Sequence, residues 1–121
     1  RFALTDESSA SDIFKEYCLR LNEGDTKLLL KKLAPTRLVT NSFRDRVEAA
    51  EGRGASAEEL RELLGRGRAK KGIFEGDLEE GELEIGQVAA LFRRRQSVDE
   101  VMKELLEGYR RASDKIRSVG L

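Results

Sequence analysis

The apolar residues of this chain come in narrow helical stripes of a few side chains each, and no stripe is wide enough to make a core by itself. Ile13, Phe14, Tyr17, Cys18 and Leu21 share one face. Phe43, Val47 and Ala50 share a second, Leu60, Leu63 and Leu64 a third, and Val98, Val101, Leu105, Tyr109, Ala112 and Ile116 a fourth. The large side chains that could thicken them are scarce: five Phe, two Tyr, one Met and no Trp among 121 residues. Burial contributes about 25 cal/mol per Å², whereas ordering the backbone costs on the order of 1–2 kcal/mol per residue. Stripes this thin are marginal unless something larger receives them. Two architectures answer that: a small helical bundle whose stripes face one another, or a piece that leans on a sheet or barrel built by other residues.

Local signals divide the chain further. The pattern from Ser11 predicts a helix over residues 8–22, stopped at Gly24. Residues 26–40 carry two short extended runs around Ala34-Pro35, where proline interrupts any helix, and predict a β-hairpin. Asn41 caps the next helix, which ends at Gly52 and Gly54. Ser56 to Glu59 is a capping box opening a helix that stops at Gly65. The glycine-rich, acidic run 72–81 predicts a loop, because it buries little and each glycine costs backbone entropy in a helix. Ile85, Val88, Ala89 and Phe92 recur at helical spacing, and Ser97 to Glu100 is a second capping box opening the last helix. Arg1 to Thr5 reads as the tail of a strand, and Arg1 is not an initiator methionine, so a preceding segment is expected.

Composition narrows the function. With 23 basic and 23 acidic residues the chain has no net charge to concentrate nucleic acid or anionic lipid. It has no apolar run approaching the ~18 residues of a membrane span. One cysteine, Cys18, cannot form an internal disulfide, and no signal segment is visible, so the cytoplasm is the expected compartment. Histidine is absent, which removes the commonest general base and metal ligand; no metal site is expected.

Four places in order carry a family resemblance. Gly76-Asp77-Leu78-Glu79-Glu80-Gly81-Glu82-Leu83-Glu84-Ile85-Gly86-Gln87 resembles the glycine–acid segment, ending in Gly-Gln, of the nitronate monooxygenase and enoyl-acyl-carrier-protein reductase II family. Arg1-Phe2 matches the end of that family's Gly-Thr-Arg-Phe strand. Glu7-Ser8, Ala10 and Phe14-Lys15 match the helix start that follows, and Pro35-Thr36-Arg37-Leu38-Val39-Thr40-Asn41 matches its Pro-x-Arg-x-x-x-Asn hairpin segment.

The resemblance implies an α/β parent, a (β/α)₈ TIM barrel binding FMN, of which this chain is a C-terminal fragment, mostly α with one β-hairpin. Residues 1–5 would be the end of the last barrel strand, 6–75 a helical insertion with the hairpin near 26–40, and 76–121 the closing barrel helix and C-terminal helix. The implied activity is NAD(P)H-dependent reduction of enoyl thioesters. Oxidation of alkyl nitronates is the alternative, and a non-enzymatic helical interaction module the second. The implied partners are the rest of the barrel and an acyl carrier protein, with a homodimer also admitted; neither nucleic acid nor membrane is expected. Arg1 adjoins the family's FMN-contacting Gly-Thr and is the one cofactor-binding candidate; no residue is assigned a catalytic role. The family often has histidine where this chain has Ser11.

Each candidate also has a structural explanation. Gly81 and Gly86 could let a helix approach the flavin, or could pack it against the barrel wall. Asp77, Glu79, Glu80, Glu82 and Glu84 could hold a cation, or could be a solvated acidic first turn that suits a helix dipole. Arg66, Arg68, Lys70 and Lys71 could receive an acidic carrier or a nicotinamide cofactor's phosphates, or could be an exposed face. Tyr17 and Tyr109 fit a core, and Cys18, with no histidine to activate it, fits a buried inert thiol.

Overall fold

A computed structural model describes residues 1–120. Four helices and one hairpin carry the fold: α1 (Asp12–Cys18), β1 (Thr26–Leu29), β2 (Thr36–Val39), α2 (Ser42–Gly52), α3 (Ala57–Leu64) and α4 (Val98–Ser118). Single turns of tighter or wider helix occur at Phe2–Leu4, Lys70–Phe74 and Gln87–Leu91. No helix among the described residues is long and apolar enough to cross a membrane.

The hairpin stands where proline and the extended runs place it. β1 and β2 pair antiparallel, from Thr26 opposite Val39 to Leu29 opposite Thr36. Residues 83–85 lie along the free edge of β2: Val39 N–H donates to Leu83 O (2.9 Å), Ile85 N–H to Arg37 O (3.4 Å), and Leu38 bridges Glu84. Successive strand side chains point to opposite faces, so the hairpin separates two cores. Val39 joins Phe14, Cys18, Leu21 and Leu83 on one side. Leu38 joins Leu29, Leu30, Phe43 and Val47 on the other, next to the cluster of Ala50, Ala55 and Leu60.

Helix starts follow the capping residues. Asn41 Oδ1 accepts from Arg44 N–H (2.8 Å), while its amide donates to Leu78 O (3.0 Å) and Gly81 O (2.8 Å), which fastens α2 to the acidic turn. Both capping boxes, Ser56 with Glu59 and Ser97 with Glu100, are complete.

Several expectations need correction. The helix expected over 8–22 is only the seven residues of α1, because Ser11 caps it and residues 5–10 are drawn into a tight loop. At Phe2–Leu4, where a strand tail is expected, the described residues form a 3₁₀ turn closed by Leu4 N–H to Arg1 O and Thr5 N–H to Phe2 O. The helical spacing from Ile85 to Phe92 yields one 3₁₀ turn with Val88 and Leu91 exposed. Overlapping the start of the loop expected at 72–81, Lys70–Phe74 forms a π-helical turn.

On α4 only Val101 is buried. Met102, Leu105, Leu106, Tyr109 and Ile116 are exposed along its length. The stripes therefore do not all face one another, as they would in a bundle standing alone.

Candidate functional site

Arg1 sits in a corner made with the end of the 87–91 turn and the first half of α4. Its guanidinium lies over the Phe92 ring, 5.1 Å from the centroid, donates to Gln96 Oε1 (2.9 Å) and pairs with Glu104. Gln96 is buried and donates in turn to Glu104 Oε1 (2.5 Å); Arg94 reaches the same oxygen at 3.2 Å. The hydrogen bond from Arg1 holds the Glu104 carboxyl below its ordinary range. Arg1 Nε is buried without a partner among the described residues. These contacts make the guanidinium a clip between the start of the described chain and α4.

The loop behind Arg1 is fastened at several residues. Lys15, at 2% exposure, drives its ammonium into the loop and donates to Ser8 O (2.8 Å) and Asp6 O (3.3 Å). Asp6 N–H donates to Gln96 O (3.0 Å), and its carboxylate accepts from Arg95 Nε (2.9 Å), while Arg95 also reaches Asp12 (2.7 Å). Ser8 Oγ donates to Ala3 O (2.8 Å). Both oxygens of Glu7 accept from Val98 N–H, at 2.9 and 3.1 Å. The N-terminus of α4, where a phosphate would find free N–H groups and a favourable dipole, is thus already occupied by a carboxylate of the chain.

The other candidates are mostly structural. Gly81 packs against Gly72, within this chain, while a Cβ on Gly86 would meet nothing within 4 Å. The acids from Asp77 fold a turn and open no helix, which corrects the expected acidic first turn: Asp77 Oδ1 accepts from Glu80 N–H (2.9 Å) and Glu79 N–H (3.1 Å), and these bonds with Lys71 lower its pKa. Glu80 pairs with Arg46 and Arg68. Glu82 is buried, and desolvation, reinforced by neighbouring Glu84, pushes its carboxyl up to about 7. Among the described residues no three acids or cysteine converge in a metal-ligating group.

Of the basic cluster only Arg68 is drawn into the fold, while Arg66, Lys70 and Lys71 are exposed. Arg68 donates to the carbonyls of Leu64 (2.7 Å), Glu80 (2.7 Å) and Leu63 (3.2 Å) and stacks 4.4 Å from the Phe43 centroid. Lys71 pairs with Asp77 and Lys70 with Glu75. Tyr17 is half-buried and donates to Thr40 O (2.6 Å), whereas Tyr109 is exposed, against the expectation of a core position. Cys18 is fully buried, and desolvation raises its thiol to about 12. Ser11, at the position where the resemblance has histidine, is the cap of α1.

Sequence reasoning missed Lys15 as a clamp and Phe92, Gln96 and Glu104 as partners of Arg1. Lys15 left one signal: it sits at the edge of the apolar face that Phe14 and Cys18 form on its helix.

Comparison with known proteins agrees with this geometry. A family model described as nitronate monooxygenase matches residues 1–108. The solved structure of FabK from Thermotoga maritima superposes with a TM-score of 0.84 at 26% identity, covering 98% of this chain and 37% of that one. Its M276A mutant superposes at 0.78 with 24% identity, a likeness of fold, covering 98% of this chain and 35% of the mutant. The chain thus spans little more than a third of the structures it matches. No curated protein sequence matches it.

Proposed function

Because the chain belongs to the nitronate monooxygenase family, we propose that it is the C-terminal portion of an FMN-dependent (β/α)₈-barrel oxidoreductase that reduces enoyl thioesters of acyl carrier protein with NAD(P)H. The observation that carries this reading is the bare apolar face of α4, where Val101 is buried by the chain itself while Met102, Leu105, Leu106 and Tyr109 are not. Such a face suits a closing helix laid against a barrel wall. The likeness to FabK over almost the whole chain supports the reductase branch. Residues 6–75 then form the insertion and 76–121 the closing segment.

Arg1 belongs at the phosphate-holding end of that barrel as an anchor. Its side chain is paired with Glu104. What the chain contributes there is position: Arg1, Lys15 and Glu7 fix the loop that follows the strand. The flavin, when bound, supplies the hydride chemistry, and its contacts lie mainly outside these residues.

The test is to purify the protein with its upstream segment and record the visible flavin bands, then follow NAD(P)H oxidation with a crotonyl thioester. Bound flavin and thioester-dependent oxidation are expected. A folded protein without flavin overturns the reading. Flavin with oxygen uptake on an alkyl nitronate, and no thioester activity, moves the assignment to nitronate oxidation, which the family's description itself favours.

A further inference from the structure

Between the hairpin and the 87–91 turn lies an open cleft of about 660 Å³, within the roughly 300–1,000 Å³ range of small-molecule sites. Its lining combines two chemistries. Arg37 and Arg93 each line it and are each held through a single nitrogen: Arg37 Nη1 donates to Thr26 Oγ1 (3.2 Å) and Thr26 O (3.3 Å), and Arg93 Nη1 to Leu21 O (2.6 Å). The neighbouring Arg94 and Arg95 have carboxylate partners, but neither Arg37 nor Arg93 is ion-paired among the described residues. Val88 (53% exposed) and Leu91 (76% exposed) line it with bare aliphatic side chains. Gln87 adds an amide, and Glu23, also in the lining, brings the formal charge of the three ionised groups to one positive unit.

An arginine fixed at one nitrogen and open at the others is preorganised for bidentate contact with a carboxylate or phosphate. The charge favours a monoanion, and the aliphatic lip favours a ligand with a short apolar tail. We propose that this cleft binds a small amphiphilic anion, an acidic head with a short aliphatic chain, through Arg37 and Arg93 at the head and Val88 and Leu91 along the tail. This goes beyond the oxidoreductase reading and does not depend on it.

Titration calorimetry on the whole protein tests it, with octanoate, octyl phosphate and inorganic phosphate as probes. Octanoate or octyl phosphate should bind, and whichever binds tighter identifies the head. Inorganic phosphate should bind about tenfold more weakly than octyl phosphate, lacking the tail. Arg93→Gln and Leu91→Ser, both at exposed positions, should each weaken the tighter amphiphile about tenfold, a difference of about 1.4 kcal/mol. Arg37→Lys, which keeps the charge and loses the fork, should weaken it too. Unchanged binding in Arg93→Gln and Leu91→Ser, or equal binding of inorganic and octyl phosphate, overturns the proposal. Flavin content read on the same samples separates the two readings: a flavin-free protein that binds octyl phosphate refutes only the oxidoreductase.

Discussion

Gly72 and Gly81 cross with their backbones in contact: a Cβ built on Gly72 would lie 3.0 Å from Gly81 Cα and 2.7 Å from Leu83 Cδ2, and one built on Gly81 would overlap Gly72 Cα and the Asp77 carbonyl oxygen. The obstacles to a side chain on Gly81 are main-chain atoms, which cannot rotate aside. Gly81→Ala is therefore expected to cost about 1–3 kcal/mol, the usual range for overpacking. Gly86→Ala, with open space around it, should stay within about 0.5 kcal/mol of the parent. Urea unfolding of the two variants checks the contrast, and equal losses would show that the crossing is not as close as described.

Lys15→Met should loosen the loop at 5–11. The substitution keeps the aliphatic stem but leaves the Asp6 and Ser8 carbonyls without their donor, at a cost of about 1–3 kcal/mol. Hydrogen exchange should rise at Asp6 and Ala10, with α3 unaffected. Uniform protection across the loop in the variant would count against the clamp.

Glu82 should make stability fall as pH rises from about 4.5 to 7. Its folded pKa of about 7 lies above the ordinary glutamate value of 4.5, so the folded state holds the proton more tightly. The associated stability is fully present below the unfolded pKa and is lost as pH passes through the folded one. The coupling to Glu84 spreads the effect, and a slope amounting to on the order of 2 kcal/mol across that window is expected. Glu82→Gln, neutral throughout, should flatten the profile in denaturant titrations taken at successive pH values.

Glu7→Gln should weaken the start of α4. The amide keeps an acceptor for Val98 N–H but removes the negative charge from the helix N-terminus, a change of about 0.3–1 kcal/mol. The difference in melting temperature from the parent should shrink as salt is added, because the interaction is exposed and screened. A difference independent of salt would point to hydrogen bonding alone.

Local chemistry was the legible part of this molecule. Ser56, Ser97 and Asn41 start their helices where side-chain oxygens can serve free N–H groups, and Pro35 sits inside the hairpin it implied. These signals act over three or four residues and need no knowledge of the rest of the chain. Ile85 to Phe92 failed for the opposite reason: Val39 and Arg37 draw Leu83 and Ile85 into an extended pairing, which outweighs helical spacing in the residues that follow. The Arg1 corner was half legible. Resemblance singled out Arg1, but Gln96 and Glu104, about a hundred residues away, leave no local trace of their partnership. Tyr109 shows the limit of periodicity, which identifies an apolar face without saying what lies across from it.

The contacts that fasten the opening loop reach far along the polypeptide: Asp6 to Arg95 spans 89 positions, Glu7 to Val98 spans 91 and Arg1 to Glu104 spans 103. Contacts this distant form late and slow the search for the native state. During synthesis the first dozen residues leave the ribosome long before their partners exist, so the ring that joins the two ends cannot close until the start of α4 has emerged.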